Sequence, residues 1–171
     1  MKGTLVFLRA LEPEDIDTLY NWENDTSLWP VSNTLSPFSR FTLEQYVMNA
    51  GQDIFATKQL RLMIVEQHSG ETVGTVDLFD FEPSHHRAGI GIMIKSDNRR
   101  QGLAGDALKL MLDYSFNTLD LHQLYCNISP NNEASLQLFK KQGFEIVGLK
   151  KQWLKRPSGW EDEYLLQKIH K

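Results

Sequence analysis

The chain has 171 residues with 41% hydrophobic and 23% charged residues, the composition of one ordinary globular domain, residues 1–171, with a sizeable core. A formal net charge of −4 argues against a nucleic-acid-binding surface and is compatible with a cationic small substrate. The single cysteine, Cys126, excludes an intrachain disulfide and a multi-cysteine zinc site.

The first third of the chain predicts one strand and two helices. Residues 4–8 are mostly apolar and alternate as a strand does. A proline and three acidic residues begin a helix that runs over residues 13–24. The Thr-x-x-Gln that opens residues 42–50 is a capping box for a second helix. Residues 25–40, which contain Trp29, are irregular and aromatic, so they are either a wall of a substrate site or a packed surface loop.

The middle of the chain predicts a hairpin. Residues 61–67 and 72–79 are strands joined by a short turn. Gly74 inside the second strand indicates a bulge or a close backbone approach. Residues 80–87 are predicted as a loop that leads into the next strand.

A strand, a basic loop and a long helix then follow one another. Residues 90–94 are a buried apolar strand, and residues 96–101 are polar. From Gly102 to Phe116, apolar residues recur at helical spacing. The first N–H groups of such a helix have no intrahelical partner, so this unit is an anion site. The alternative is a plain turn that uses glycine only for its backbone.

The remaining elements complete a mixed α/β pattern. Residues 124–128 are a strand, and Asn132 caps a helix that ends at Gly143. Residues 144–148 and 163–169 are strands around a loop. The resulting order, β-α-α-β-β-β-α-β-α-β-β, predicts an α/β single domain with a mixed sheet flanked by helices.

Two motifs resemble those of the GCN5-related N-acetyltransferase (GNAT) family. The hexapeptide at residues 99–104 matches the pyrophosphate loop Q/R-x-x-G-x-G/A. Asn132-x-x-Ser135, followed by residues 138–144, is similar to the second signature of that family. The opening residues 8–15 resemble the subgroup that contains ribosomal-protein N-terminal acetyltransferases and spermidine acetyltransferases. The resemblance implies the GNAT-like acyl-CoA N-acyltransferase fold.

The resemblance also implies acetyl-CoA as co-substrate. The strand residues 91–94 would separate from their neighbour and pair with the pantetheine arm, and a main-chain N–H near Met93 would polarise the acetyl carbonyl. Backbone N–H groups of residues 100–105 would hold the pyrophosphate. Asn132 would contact the pantetheine or thiol region; the alternative is a plain helix cap, and one residue could do both. The implied cofactor-binding residues are Gly91, Ile92, Met93, Ile94, Arg99, Arg100, Gln101, Gly102, Leu103, Ala104, Gly105, Asn132, Ser135 and Phe139.

Direct acetyl transfer to a primary amine requires a proton donor for the leaving thiolate and a base for the amine. Members of the family often use a tyrosine as the acid, and this chain has Phe139 at that position. Ser135 is the predicted replacement, with Tyr164 second, although a helix serine can be satisfied by its own backbone. One of Asp77, Asp80 and Glu82 is the candidate base, with Asp80 and Glu82 as the predicted ones. Strand alternation puts Asp77 and Phe79 on one face and Leu78 and Asp80 on the other. The alternative is that these carboxylates are only solvated.

The acceptor is a small-molecule or peptide amine, with Trp29, Asp77 and Asp80 as predicted binding residues. A polyamine such as spermidine is an alternative acceptor. Two departures weaken that alternative, because Gly89 stands where spermidine acetyltransferases carry a glutamate, and residues 31–37 lack an acidic pair. A non-catalytic acyl-CoA-binding module is the alternative of another class, supported by Phe139.

Other partners follow from simpler observations. His85 and His86 are adjacent and no third ligand is evident, so no metal site is predicted. The basic charges are local to one loop in an acidic chain, so no nucleic acid is expected. Without an apolar run of membrane-span length or a leader pattern, we expect a cytoplasmic protein with no membrane partner. The resemblance suggests a homodimer.

Overall fold

The computed structural model describes residues 1–32, 34–51 and 53–171 and divides the chain into two compact units. Unit 1 consists of residues 1–9 and 54–171, and unit 2 of residues 10–53. The helices of unit 2 are α1 (Ile16–Glu23), α2 (Trp29–Ser32) and α3 (Arg40–Asn49). Those of unit 1 are α4 (Ile54–Thr57), α5 (Leu103–Asn117) and α6 (Glu133–Lys141).

Unit 1 is built on a mixed sheet of seven strands within the described residues, in the order β1-β2-β3-β4-β5-β7-β6. Among the described strands, β4 and β5 alone run parallel, and the other neighbouring pairs are antiparallel. The predicted α/β class with a mixed sheet is therefore confirmed. The strands are β1 (Val6–Arg9), β2 (Leu60–Glu66), β3 (Thr72–Glu82), β4 (Arg87–Ile94), β5 (Gln123–Ile128), β6 (Glu145–Arg156) and β7 (Gly159–Ile169).

Helix α5 covers one face of this sheet and forms its core. It contacts β1, β3 and β4. Ala107, Leu108 and Met111 of the helix are fully buried, and so are Ala88 and Ile90 on the facing side of β4. Because strand side chains alternate, the residues between them lie on the other, outward face of the sheet. Burying these apolar side chains fixes which groups of β4 remain available on the outward face.

Gly74 brings β3 close to β4, as the sequence predicts. A Cβ at this position would lie 2.0 Å from the main-chain oxygen of Met93. The β2–β3 register also shifts opposite Gly74, between Ile64 and Val65. The glycine is therefore required for the contact between these strands.

Several boundaries differ from the sequence prediction, and Trp29–Ser32 is a short helix inside the segment predicted as irregular. Helix α3 begins earlier than Thr42, because Ser39 is its cap and accepts a hydrogen bond from the Thr42 N–H at 3.1 Å. Residues 80–82, predicted as loop, continue β3 after an irregularity. The hairpin of β6 and β7 is longer than predicted. The prediction was too short because β6 is rich in lysine and lacks the apolar–polar alternation of a half-buried strand.

Candidate active site

Strands β4 and β5 pair briefly and then separate. Their parallel pairing begins at Arg87 with Gln123 and ends at Gly89 with Tyr125. Beyond that rung, β4 continues to Ile94 on β3, and β5 continues to Ile128 on β7. We call this separation the fork. Within the described ranges, no strand pairs with the last five residues of β4 on the side of the fork.

The hydrogen-bond phase of β4 decides which of its main-chain groups face the fork. The Lys95 N–H donates to the Val73 oxygen at 2.8 Å, and antiparallel ladders alternate between bonded and non-bonded pairs. The register runs without a shift from this point to Gly89. Met93 therefore directs its N–H and C=O at β3, consistent with its oxygen lying so close to Gly74. The N–H groups near Met93 that face the fork are therefore those of Ile92 and Ile94. These two are the candidates for the predicted donor to the acetyl carbonyl.

A tight loop joins β4 to α5. Arg99 bends back and donates from Nε to the Ile94 oxygen at 3.0 Å. Arg100 and Gly102 both have positive φ, at 63° and 83°, and Gly102 is the residue just before α5. A left-handed glycine costs little, whereas the same conformation at Arg100 is strained, and such strain concentrates at ligand sites.

The loop presents a series of unused N–H groups. Across the described residues, the N–H groups of residues 100–104 have no main-chain acceptor. Gly105 differs from its neighbours because its N–H donates to the Gly102 oxygen at 3.1 Å. Of the predicted set 100–105, Gly105 is therefore engaged by the helix, and the other groups are available to an anion.

Helix α6 carries the second motif. The side-chain oxygen of Asn132 caps the helix and accepts a hydrogen bond from the Ser135 N–H at 3.2 Å. The helix-cap alternative therefore accounts for this oxygen. The amide NH2 of Asn132 takes no part in the cap. The Ser135 hydroxyl is half-buried and bonds to none of the described residues. The Ser135 hydroxyl therefore makes no hydrogen bond to its own helix backbone, which was the alternative. By contrast, Ser115 in α5 does bond back to Met111.

Phe139 points into the core, away from solvent. It is 3% exposed and packs edge-to-face on Phe144 with ring centres 5.0 Å apart. Tyr164, the second candidate for the acid, is half-buried on β7 opposite Ile128 at the end of β5. The structure thus assigns Phe139 a packing contact within the core.

Two of the predicted carboxylates are held by arginines. Asp77 pairs across the strands with Arg61, and both side chains are about one-fifth exposed, at 22% and 21%. Both oxygens of Glu82 accept from Nη2 of Arg87, at 3.0 and 2.9 Å. Neither carboxylate is a free base or a free anionic contact, because each is neutralised by its neighbour. Sequence reasoning missed these pairs because strand register was not known.

Asp80 differs from both. Asp80 lies in the irregularity of β3 and has a φ of 48°. The predicted alternation, which placed Asp80 on the same face as Leu78, is therefore broken. Phe81 is the next buried residue of the strand after Leu78. Its carboxylate accepts from the Tyr125 hydroxyl at 3.1 Å and has no cationic partner among the residues described. Burial and the nearby Asp80 raise the pKa of Tyr125 to about 12, so this hydroxyl stays protonated and donates.

Tyr125 is the residue that sequence reasoning missed. It forms the last rung of the fork, and its ring meets Phe79 edge-to-face at 6.0 Å. The Phe79 ring covers Gly89, where a Cβ would come within 2.2 Å of it. The only signal in the sequence was an aromatic residue alternating with the buried Leu124 and Cys126.

The remaining candidates have simpler surroundings. Trp29 lies in unit 2, where its indole donates to the Glu23 oxygen at 2.9 Å. Burial raises the pKa of Cys126 to about 12, so its thiol is a poor nucleophile. The described ranges contain no group of three or more metal-binding side chains. They also contain no helix that is long and apolar enough to span a membrane.

A model of the acetyltransferase (GNAT) domain matches residues 6–145. This chain belongs to the GNAT acetyltransferase family. The resemblance noted in the sequence is confirmed, and the chain is an N-acetyltransferase.

Known relatives of this GNAT acetyltransferase include a curated enzyme and solved structures. The spermidine N(1)-acetyltransferase of Escherichia coli (strain K12) is 30% identical over 143 residues, which cover 84% of this chain and 74% of the relative. The spermidine N-acetyltransferase of Vibrio cholerae, solved with CoA and spermine, has a TM-score of 0.87 at 22% identity and covers 96% and 95% of the two chains. A dodecameric structure of that Vibrio enzyme has a TM-score of 0.78 at 22% identity, with coverage of 96% and 94%.

Asp106 ties the first turn of α5 to the amino-terminal segment of this GNAT acetyltransferase. Its carboxylate accepts from the N–H groups of Leu5 and Val6 at 2.7 and 3.0 Å. Burial alone would raise the pKa of Asp106, but the backbone donors of Leu5, Val6 and Thr4 outweigh it and hold the pKa below its usual range. A Cβ at Gly102 would lie 3.3 Å from the Leu5 side chain, so the tied segment also supports the loop.

Replacing Asp106 by alanine should lower the free energy of unfolding by about 1–3 kcal/mol, because it leaves charge-assisted hydrogen bonds unmade. The melting temperature of the variant measures this loss. Since the folded pKa is lowered, the stabilisation is present above the unfolded pKa and disappears as the pH falls through the folded pKa. Asp113→Ala on the same helix is the control, because among the described residues its carboxylate accepts only from Asn117, one turn away. Equal losses in both variants would refute a special role for Asp106.

Proposed function

We propose that this GNAT acetyltransferase moves an acetyl group directly from acetyl-CoA to a primary amine, with the fork as the reaction centre. The fork itself carries the proposal, because β4 loses its partner at Gly89 and, among its five further residues, Ile92 and Ile94 direct main-chain groups at the open side. Acetyl-CoA supplies the activated thioester. The high pKa of Cys126 supports direct transfer rather than an acetyl-enzyme on this thiol.

The residues present fit the coenzyme in two places. The main-chain groups of Ile92 and the N–H of Ile94 face the fork and suit the amides of a pantetheine arm, which would add to the sheet as an extra strand, while the Ile94 oxygen is held by Arg99. The unused N–H groups of residues 100–104, with the charges of Arg99 and Arg100 and the dipole of α5, suit a pyrophosphate. The Ile92 and Ile94 N–H groups are also the donors available to a thioester carbonyl.

Asp80 is the base in this proposal. A protonated amine must lose its proton before it attacks, and a neighbouring cation makes a carboxylate a weaker base. Asp77 and Glu82 are paired with arginines, whereas Asp80 accepts only from a hydroxyl within the described chain. Tyr125 orients Asp80 and stays protonated, since its pKa is about 12.

Ser135 is the proposed donor toward the leaving sulfur, directly or through water. Phe139 has no proton to give and is buried in the core. The Ser135 hydroxyl is half-buried without a partner among the described residues, so it remains available. Asn132 places this serine by capping the same turn of α6.

Residues 1–171 are proposed to act as one acetyltransferase domain that self-associates. The family match over residues 6–145 includes all of unit 2 and much of unit 1, which supports a single functional domain. Self-association is supported by the dodecameric Vibrio relative and by the exposed apolar side chains of the last hairpin, including Leu149, Trp153 and Trp160 at 47%, 59% and 61%.

Polyamine acetylation is the second candidate, supported by the relatives from Escherichia coli and Vibrio cholerae that are spermidine acetyltransferases. The paired state of Asp77 and Glu82 weighs against it, because a long cation needs several unneutralised carboxylates.

Release of thiol from acetyl-CoA across a panel of amines tests the proposal. We expect amine-dependent thiol release and an acetylated amine in the products. The panel holds spermidine, spermine, alkylamines, amino acids and short peptides. If acetyl-CoA raises the melting temperature but no amine releases thiol, the chain is a coenzyme-binding module and the transfer proposal fails. If there is also no thermal shift, the assignment of the coenzyme fails as well.

A further inference from the structure

A cavity of about 300 Å³ opens on the outward face of the sheet, at the closed end of the fork. Tyr125, the last rung of the fork, is part of its wall. The polar part of the wall consists of one acid, one arginine, two amides and this phenol. Those side chains are Glu82, Arg87, Gln123, Tyr125 and Gln167, all of unit 1.

Arg87 has unused donors in this cavity. A guanidinium carries five N–H groups, and Glu82 occupies only those of Nη2. Nε and Nη1 of Arg87 have no partner in the described part of the chain. Because Glu82 holds Nη2, which belongs to both two-donor edges of the guanidinium, Nη1 offers a single charge-assisted donor to an anionic oxygen such as that of a carboxylate.

The two glutamines add donors and acceptors of the same kind. Nε2 of Gln167 donates to Oε1 of Gln123. This bond leaves the Gln123 amide nitrogen and the Gln167 amide oxygen for a ligand. Beside them, Leu165 gives the cavity an apolar side. The wall is therefore suited to a small polar group on a short carbon chain.

The negative group lies toward the fork instead. Asp80, at the hydroxyl end of Tyr125, has no cationic partner among the described residues and attracts an ammonium. Elsewhere on the outward face the carboxylates are paired, as Asp77 is with Arg61 and Glu163 with Lys150. A ligand with an amine near Asp80 and a carboxylate near Arg87 would satisfy both ends.

We propose that the acceptor is a small amine that also carries a carboxylate, an amino acid in the broad sense, with its carboxylate bound by Arg87. This inference rests on the proposed function, because it takes the cavity beside the fork as the acceptor site. The volume is at the small end of ligand pockets, which favours a small molecule. Arg87 then selects the acceptor and does not take part in the proton transfers.

Matched substrates test the role of the carboxylate. Glycine, β-alanine, 4-aminobutanoate, 5-aminopentanoate and leucine are compared with the alkylamines that lack only the carboxylate, and spermidine is included. We expect at least one amino acid to exceed its alkylamine by about 10-fold or more in kcat/KM, as a charge-assisted pair provides. The proposal is overturned if no amino acid exceeds its matched amine or if spermidine is the best substrate.

Arg87→Gln should abolish this preference and raise KM for the amino acid about 10-fold or more. KM for the alkylamine should stay the same, or fall because Glu82 is released from its ion pair. Arg156→Gln is the matched control, because Arg156 also pairs with a glutamate five positions away, Glu161, and does not line the cavity. A preference that survives in Arg87→Gln, or is lost equally in the control, overturns the proposal.

Calorimetric binding of the same pairs to the protein with CoA separates this inference from the proposed function. If no amine is acetylated, the proposed function fails, and the binding ratio between an amino acid and its alkylamine still decides the role of Arg87. Tighter binding of the amino acid that disappears in Arg87→Gln supports the inference, and equal binding overturns it.

Discussion

Asp80→Asn should lower kcat/KM for the preferred amine by about 100-fold or more, with an unchanged melting temperature. Asparagine has the same size, tolerates the positive φ of 48° and still accepts the bond from Tyr125. It cannot take a proton from the amine. The variant therefore removes the base and leaves the surrounding structure in place.

Asp120→Asn is the control for this variant. Asp120 also has a positive φ, of 53°, and its side chain is 93% exposed on the turn before β5. The same chemical change there should leave kcat/KM at the wild-type value. Asp80→Asn activity within about threefold of wild type would show that another group deprotonates the amine.

Gly102→Ala should raise KM for acetyl-CoA about 10-fold or more, with a smaller effect on KM for the amine. The residue has φ 83°, and a side chain in this region costs about 1–2 kcal/mol. The new Cβ would also lie 3.3 Å from the Leu5 side chain. It would disturb the loop whose N–H groups are proposed to bind the pyrophosphate. Initial-rate kinetics and calorimetric titration with CoA measure the effect.

Gly70→Ala isolates the backbone strain from the effect on the coenzyme. Gly70 has a similar φ, of 72°, in the turn between β2 and β3, and a Cβ there meets nothing within 4 Å. Both variants should lose similar stability, and only Gly102→Ala should lose affinity for acetyl-CoA. If the two variants have the same KM for acetyl-CoA, the loop does not bind the pyrophosphate.

Local patterns in the sequence predicted the scaffold of the site. The apolar spacing after Gly102 predicted α5, and the glycine in an otherwise apolar strand predicted the close approach at Gly74. Both signals depend on residues that are near one another in the chain. The loop motif with its helix, together with the motif at Asn132, also led to the correct family.

The state of each carboxylate could not be predicted, because it depends on residues distant in the chain. The pair of Asp77 and Arg61 follows from the β2–β3 register. The contact between Asp80 and Tyr125 needs an irregularity in β3 and joins residues 45 positions apart. Strict alternation assigned Asp80 to the face of Leu78 and so concealed this contact.

The phase of β4 was likewise beyond the sequence. A run of apolar residues indicates a buried strand but does not say which N–H groups face a neighbour. The bond from Lys95 to Val73 fixes that phase and turns Met93 toward β3. The donor near Met93 therefore stays a prediction, and within that segment the N–H groups that face the fork are those of Ile92 and Ile94.

The central claim, that the coenzyme lies along the open edge of β4, is tested most directly by residue-resolved amide hydrogen exchange with and without CoA. The account predicts that the amides of Ile92 and Ile94 exchange readily in the free protein and become protected by CoA, while Met93 is protected in both states. If CoA binds by calorimetry and the exchange of Ile92 and Ile94 is unchanged, the coenzyme does not occupy the fork and the claim is wrong.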